Sequence, residues 1–155
     1  MDKLQRTIFL AGDHAGLELK EILKTYLTGK NYKVEDLGPY SGESCDYPDF
    51  ASKLCTQVQN SNNLGILVCS TGTGISIAAN KFKNIRCAIC NNLYIAKASI
   101  EKDNPNVIAI GGKVVGPDVA KVIVDDFLNS KLSGKNEEPA DKQKLQEIEN
   151  ANLLN

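Results

Sequence analysis

The run Leu64-Gly65-Ile66-Leu67-Val68-Cys69 is apolar without a break and ends on the small-residue turn Ser70-Thr71-Gly72-Thr73-Gly74. A strand that reads apolar along its whole length fits a sheet covered on both faces, so helices are expected above and below it. The rest of the chain supplies the material. Residues 7–11, 85–90 and 107–110 are further short apolar runs, and 32–37 is a more polar one suited to an edge. Between the runs, apolar residues recur at helical spacing. Leu19, Ile22, Leu23, Tyr26 and Leu27 form one such set, with Gly29 as its stop. Phe50, Leu54 and Val58 form a second, residues 75–82 and 93–101 a third and fourth, and Val119, Val122, Ile123 and Phe127 a fifth. Residues 38–48, rich in Gly, Pro, Ser and Asp, read as a long loop.

Strand then helix, repeated about five times, predicts an α/β fold. The expected architecture is a Rossmann-like three-layer αβα sandwich with a five-stranded, mostly parallel sheet. The 155 residues fit one domain, 1–155, long enough to bury a single core. Residues 130–138 read as a polar linker and 142–153 as a last, highly charged helix. Its apolar positions Leu145 and Ile148 give only a thin stripe, so it is expected to pack on a neighbour, as a C-terminal helix used in oligomerisation.

The formal net charge of −1 gives no global field to attract nucleic acid or an anionic membrane. No apolar run approaches the ~20 residues a bilayer crossing needs. The run at 7–11 is too short for a secretory signal, and the protein is expected in the cytoplasm. Five cysteines, an odd number, argue against a disulfide framework. Cys87 and Cys90 form a C-x-x-C, but inside a predicted strand. They are expected to be buried small hydrophobes, not a redox or metal pair. A flavodoxin-like thiol-redox protein built on them is the competing reading, and burial of both sulfurs would end it.

In open parallel sheets, ligands bind beyond the carboxyl ends of the strands. Three loops leave such ends: 12–16, 69–74 and the turn at Gly111. The Cys69–Gly74 loop can turn several backbone N–H groups toward one point, a cradle for an anion backed by a helix start. It is neither a Walker A motif nor a full dinucleotide fingerprint. A cysteine placed before a helix has its anionic form favoured, and a thiolate can act as nucleophile or base. A buried strand-end cysteine without a role fits the residues equally well. Asp13 and His14 follow the first strand, and His14 is the only histidine in the chain. Asp46-Tyr47-Pro48 is a further polar cluster that turn chemistry also explains.

Taken together, Gly12-Asp13-His14-Ala15-Gly16, Asp46-Tyr47-Pro48, the block from Cys69 to Lys81, Asn106-Val107 and Gly111-Gly112 resemble the type B ribose-5-phosphate isomerases. Galactose- and allose-6-phosphate isomerases share that scaffold. The resemblance spans roughly residues 7–130. It implies an aldose–ketose isomerisation through an enediolate, with no metal and no cofactor. Cys69 would be the base, and the amides of Ser70, Thr71, Gly72, Thr73 and Gly74 the anion hole, assisted by Thr71. Asp13 and His14 would bind substrate and Tyr47 would line the pocket. The site would be assembled between subunits of a homodimer or a dimer of dimers.

Two segments depart from the family pattern. Where the family carries a ring-opening histidine and then an asparagine, this chain has Lys102 and Asp103. Of the family's phosphate-binding arginines, the first is Lys113 here, and the C-terminal ones fall at about Asn136 and Ala140, close to Glu137, Glu138 and Asp141. Lys135 and Lys142 stand nearby, but a lysine lacks the bidentate fork. On this scaffold the expected substrate is ribose 5-phosphate. A six-carbon sugar phosphate, or binding of a phosphosugar without catalysis, are the alternatives.

Overall fold

The computed structural model describes residues 6–132 and 140–153. Five strands form one sheet: β1 (Thr7–Gly12), β2 (Lys33–Asp36), β3 (Leu64–Cys69), β4 (Cys87–Ile89) and β5 (Val107–Gly111). Their order is β2-β1-β3-β5-β4, and every pairing is parallel. Among the described residues there are six helices: α1 (Leu17–Gly29), α2 (Tyr47–Val58), α3 (Thr73–Ala79), α4 (Leu93–Asp103), α5 (Pro117–Leu132) and α6 (Ala140–Asn152). None is long and apolar enough to cross a membrane.

The central strand β3 is buried at all six residues, which accounts for its unbroken apolar sequence. Alternation along the strands divides the core in two. Ile66 and Val68 pack with Leu23 of α1, Ile100 of α4 and Phe127 of α5. Leu67 and Cys69 face the other way, onto Leu54 of α2 and Ile75 of α3. The three layers expected from the alternating pattern are present. The sequence pointed to a mostly parallel sheet; it is wholly parallel. Chain order reverses direction between β1 and β3, and in open parallel sheets ligands bind at the carboxyl ends of such a switch point.

Several boundaries differ from the sequence expectation, each for a local reason. The strand expected over 85–90 is confined to Cys87–Ile89, and the helix expected to reach residue 82 stops at Ala79. Asn80 explains both. Its Nδ2 donates to the Cys87 carbonyl at 2.9 Å and its Oδ1 accepts the Cys87 N–H at 2.8 Å. The side chain thus occupies the ladder positions that another strand would use and blunts the sheet edge. At the other end of the loop read over 38–48, α2 already begins at Tyr47, with Pro48 in its first turn, where a missing N–H costs nothing.

The predicted last helix is α6. Leu145 and Ile148 are 48% and 62% exposed within this chain, while Glu149 Oε1 accepts the Asn84 N–H at 2.8 Å. Most of the predicted linker, including Lys135, Asn136, Glu137 and Glu138, lies outside the described residues.

Candidate active site

The carboxyl ends of β1, β3 and β5 bring three loops to one edge of the sheet. Cys69 closes β3 and is 4% exposed. The chain then turns sharply, with Gly72 at φ +84° and ψ −14°, the conformation of the third residue of a type II turn and one that glycine adopts without strain. This turn brings the Gly72 N–H back onto Cys69 Sγ at 3.2 Å. Thr73 N–H donates to Thr71 Oγ1 at 3.2 Å, and Ser76 Oγ donates to the Thr73 carbonyl at 2.7 Å.

The turn after β5 carries this loop. Gly112 N–H donates to the Cys69 carbonyl at 2.7 Å, and Lys113 N–H to the Ser70 carbonyl at 3.0 Å. Gly111 has to be glycine, because a Cβ there would lie 2.8 Å from the Thr71 carbonyl carbon. Asn91 ties the two segments together: Nδ2 donates to the Thr71 carbonyl and Oδ1 accepts the Gly111 N–H, both at 2.7 Å. Tyr47, the first residue of α2, lays its ring on Gly74, where an added Cβ would meet it at 2.7 Å.

The β1 loop completes this edge. Asp13 is buried, and its Oδ1 accepts the Ala15 and Gly16 N–H groups at 3.0 and 3.1 Å, so this oxygen shapes its own turn. His14 is exposed, and its Nδ1 accepts the Cys45 N–H at 3.2 Å. In the neutral ring that assigns the proton to Nε2. Cys45 Sγ lies 3.9 Å from the same nitrogen.

Cys69, Ser70, Thr71, Gly72, Thr73, Gly74, Asp13, His14, Tyr47 and Lys113 therefore share one edge. Lys102 and Asp103 do not. They are the last two residues of α4, and the 11 residues of that helix carry the chain back roughly 16 Å, to the amino edge of the sheet. A crossover helix in a parallel sheet runs against its strands, so within one chain they lie opposite Cys69.

The profile of the family described as Ribose/Galactose Isomerase matches residues 8–148. This chain belongs to that family. Its relatives include ribose-5-phosphate isomerase B of Escherichia coli (strain K12), 42% identical over 123 residues, covering 79% of this chain and 83% of the relative. Among solved structures, that of the Clostridium thermocellum ribose-5-phosphate isomerase B has a TM-score of 0.86 at 41% identity, covering 94% of this chain and 98% of the other. The Mycoplasma genitalium ribose-5-phosphate isomerase B with bound ribulose-5-phosphate has a TM-score of 0.85 at 36% identity, with 95% and 98% covered. The isomerase-family fold thus extends over nearly the whole chain.

Cys55, Cys87 and Cys90 belong to the two cores. Cys87 and Cys90 fall on opposite faces of the sheet, Cys90 in the α1/α4/α5 core and Cys87 against the α2/α3 core. Burial pushes the Cys55 and Cys90 thiols up to about 12, and it pushes Cys87 well above its ordinary value. Two sulfurs on opposite faces cannot act as a redox pair. Among the described residues, no three His, Cys, Asp or Glu side chains converge as a metal site.

Four contributing residues carry no sequence signal. Asn91 reaches the loop only through tertiary contact. Cys45 meets His14 across a separation of 31 residues. Lys20 and Asp36, a buried pair behind the site, sit on a helix and a strand whose apolar patterns do not mark them.

Proposed function

We propose that this chain interconverts ribose 5-phosphate and ribulose 5-phosphate, with Cys69 as the base. The observation that carries the reading is the Cys69 sulfur itself. It sits at the carboxyl end of the central strand, at the switch point, with a backbone N–H of the small-residue loop donating to it. Such a donor bonds more strongly to a thiolate than to a thiol. The edge around it carries a histidine, a tyrosine and a lysine within one loop cluster.

In the open-chain aldehyde, the Cys69 thiolate takes the proton from C2, and the electron pair moves through C1 onto the carbonyl oxygen to give the enediolate. The N–H groups of the Ser70–Gly74 loop other than that of Gly72, which bonds Cys69, hold the developing negative charge, and the Thr71 hydroxyl assists. The Cys69 thiol then returns a proton to C1, the O2 hydroxyl proton passes to O1, and C2 becomes the carbonyl carbon. His14, Tyr47 and Lys113 contact the substrate and Asp13 holds the His14 loop in place. A thiolate used in this way is an ordinary general base, turned over once per cycle.

Lys102 and Asp103 enter from a second copy of the chain. A homodimer or dimer of dimers in the cytoplasm completes each pocket, with α6 on the neighbouring subunit. Lys102 protonates the ring oxygen as the C1–O4 bond breaks, the C1 hydroxyl gives its proton to water as it becomes the aldehyde, and Lys102 regains a proton from water.

A substrate panel tests the assignment. Ribose 5-phosphate should be turned over with the highest kcat/KM, ahead of allose 6-phosphate and galactose 6-phosphate. Preference for a six-carbon sugar would move the substrate assignment, and inactivity on all three would leave a binding protein.

A further inference from the structure

We propose that Asn91 is a positioning residue that fixes the Thr71–Gly72 peptide with its N–H toward Cys69. This rests on the reading of Cys69 as the base.

The geometry has two halves. Asn91 directly follows β4 and Cys90, and its carboxamide spans two backbone segments. Oδ1 accepts the Gly111 N–H at 2.7 Å. A backbone N–H can only donate, so this bond decides which end of the carboxamide carries oxygen. The other end is then NH2, and it donates to the Thr71 carbonyl at 2.7 Å.

The Thr71 C=O and the Gly72 N–H belong to one planar trans peptide and point in opposite directions. Holding the oxygen on the Asn91 side therefore aims the N–H at the other side, where it meets Cys69 Sγ at 3.2 Å. Gly72 makes this control necessary. Its φ of +84° belongs to a type II turn, but rotating the Thr71–Gly72 peptide by about 180° gives a type I turn, which glycine also accepts. In the rotated turn a carbonyl oxygen would face the sulfur and repel a thiolate. The loop is two-state by its own chemistry, and the Asn91 side chain selects the state that supports a base. Gly111 contributes by lacking a Cβ, which lets the Thr71 peptide settle against β5.

Asn91→Asp separates this role from mere tethering. Aspartate keeps the acceptor for the Gly111 N–H but puts an acceptor in place of the donor to Thr71. The experiment compares wild type, Asn91→Asp and Cys69→Ala in two measurements: kcat and KM with ribose 5-phosphate, and the rate of Cys69 alkylation by iodoacetamide at fixed pH. The expected result for Asn91→Asp is a fall in kcat of at least about tenfold, short of the roughly 10²–10³ lost with a direct oxyanion donor. KM should hold within about threefold, and Cys69 alkylation should slow in parallel. Wild-type kcat and alkylation in Asn91→Asp would overturn the proposal and leave Asn91 a tether. Should the carboxylate prevent folding, Asn91→Ala, which removes both bonds without adding charge, is read by the same two criteria. Full turnover by Cys69→Ala would instead defeat the base assignment, and the alkylation rate would still report on the loop.

Discussion

Lys20 Nζ lies 2.7 Å from both carboxylate oxygens of Asp36, and the lysine side chain is wholly buried. Asp36 Oδ1 also accepts the Gly38 N–H at 2.9 Å, and Lys24 reaches Oδ2 at 3.3 Å. The Gly38 carbonyl in turn accepts the Gly12 N–H at 3.0 Å, and the Tyr40 hydroxyl donates to the Asp36 carbonyl at 2.7 Å. The pair therefore pins the start of the segment that brings Cys45 to His14 and leads into Tyr47.

Breaking this pair should be costly and pH-dependent. Lys20→Met removes the shortest of the bonds to Asp36 and leaves it Lys24 and the Gly38 N–H, so it is expected to cost about 1–3 kcal/mol in urea unfolding. Burial pushes the Asp36 carboxyl up, but the bonds from Lys20, Gly38 and Lys24 outweigh it and hold it below the usual carboxylate range. Because the folded value lies below the unfolded one, Asp36 contributes stability above about pH 4, and the contribution is lost as pH falls through the folded value. Asp36→Asn should flatten the acid limb of a stability-against-pH curve. An unchanged slope would remove Asp36 from the account.

Thiol labelling gives a second expectation. With iodoacetamide at neutral pH, the native protein should label at Cys45 and Cys69, with ribulose 5-phosphate protecting Cys69. Cys55 and Cys90, both fully buried, should stay unlabelled, and Cys87, partly exposed but with its thiol pushed up, should label more slowly than Cys45. The stability gained by burying them neutral is complete below about pH 8.5 and declines as pH rises toward the folded values. Labelling of Cys87 or Cys90 at the rate of Cys45 would contradict the arrangement of β4.

The separation of Lys102 from Cys69 within one chain leads to a complementation test. Cys69→Ala and Lys102→Ala homomers should each be impaired. Refolded together, they should form mixed dimers in which one of the two sites is intact, recovering about a quarter of wild-type activity at random mixing. No recovery would place Lys102 outside the partner's site.

The sequence carried the sheet and the main loop because both rest on local rules. Leu64–Cys69 is apolar throughout because β1 and β5 flank it and helices cover both its faces, and the turn after it needs Gly72 at positive φ. The Gly- and Pro-rich composition of residues 38–48 places Tyr47 in a loop, although Pro48 beside it is a common residue for a helix start. The topology also contained the position of Lys102, since a helix that follows a parallel strand returns to the amino edge. Asn91, Asn80 and the Lys20–Asp36 pair were not legible. Each acts through a partner far along the chain, and no periodicity or motif marks a side chain whose role is to bond a distant backbone.

The most direct test of the central claim is turnover of ribose 5-phosphate by wild-type protein and by Cys69→Ala, with a chelator present and with thermal unfolding of both recorded. Wild-type turnover should survive the chelator, and Cys69→Ala should melt like wild type while losing at least about 10³ in kcat, the scale set by removal of a general base. Turnover by Cys69→Ala within tenfold of wild type would contradict it.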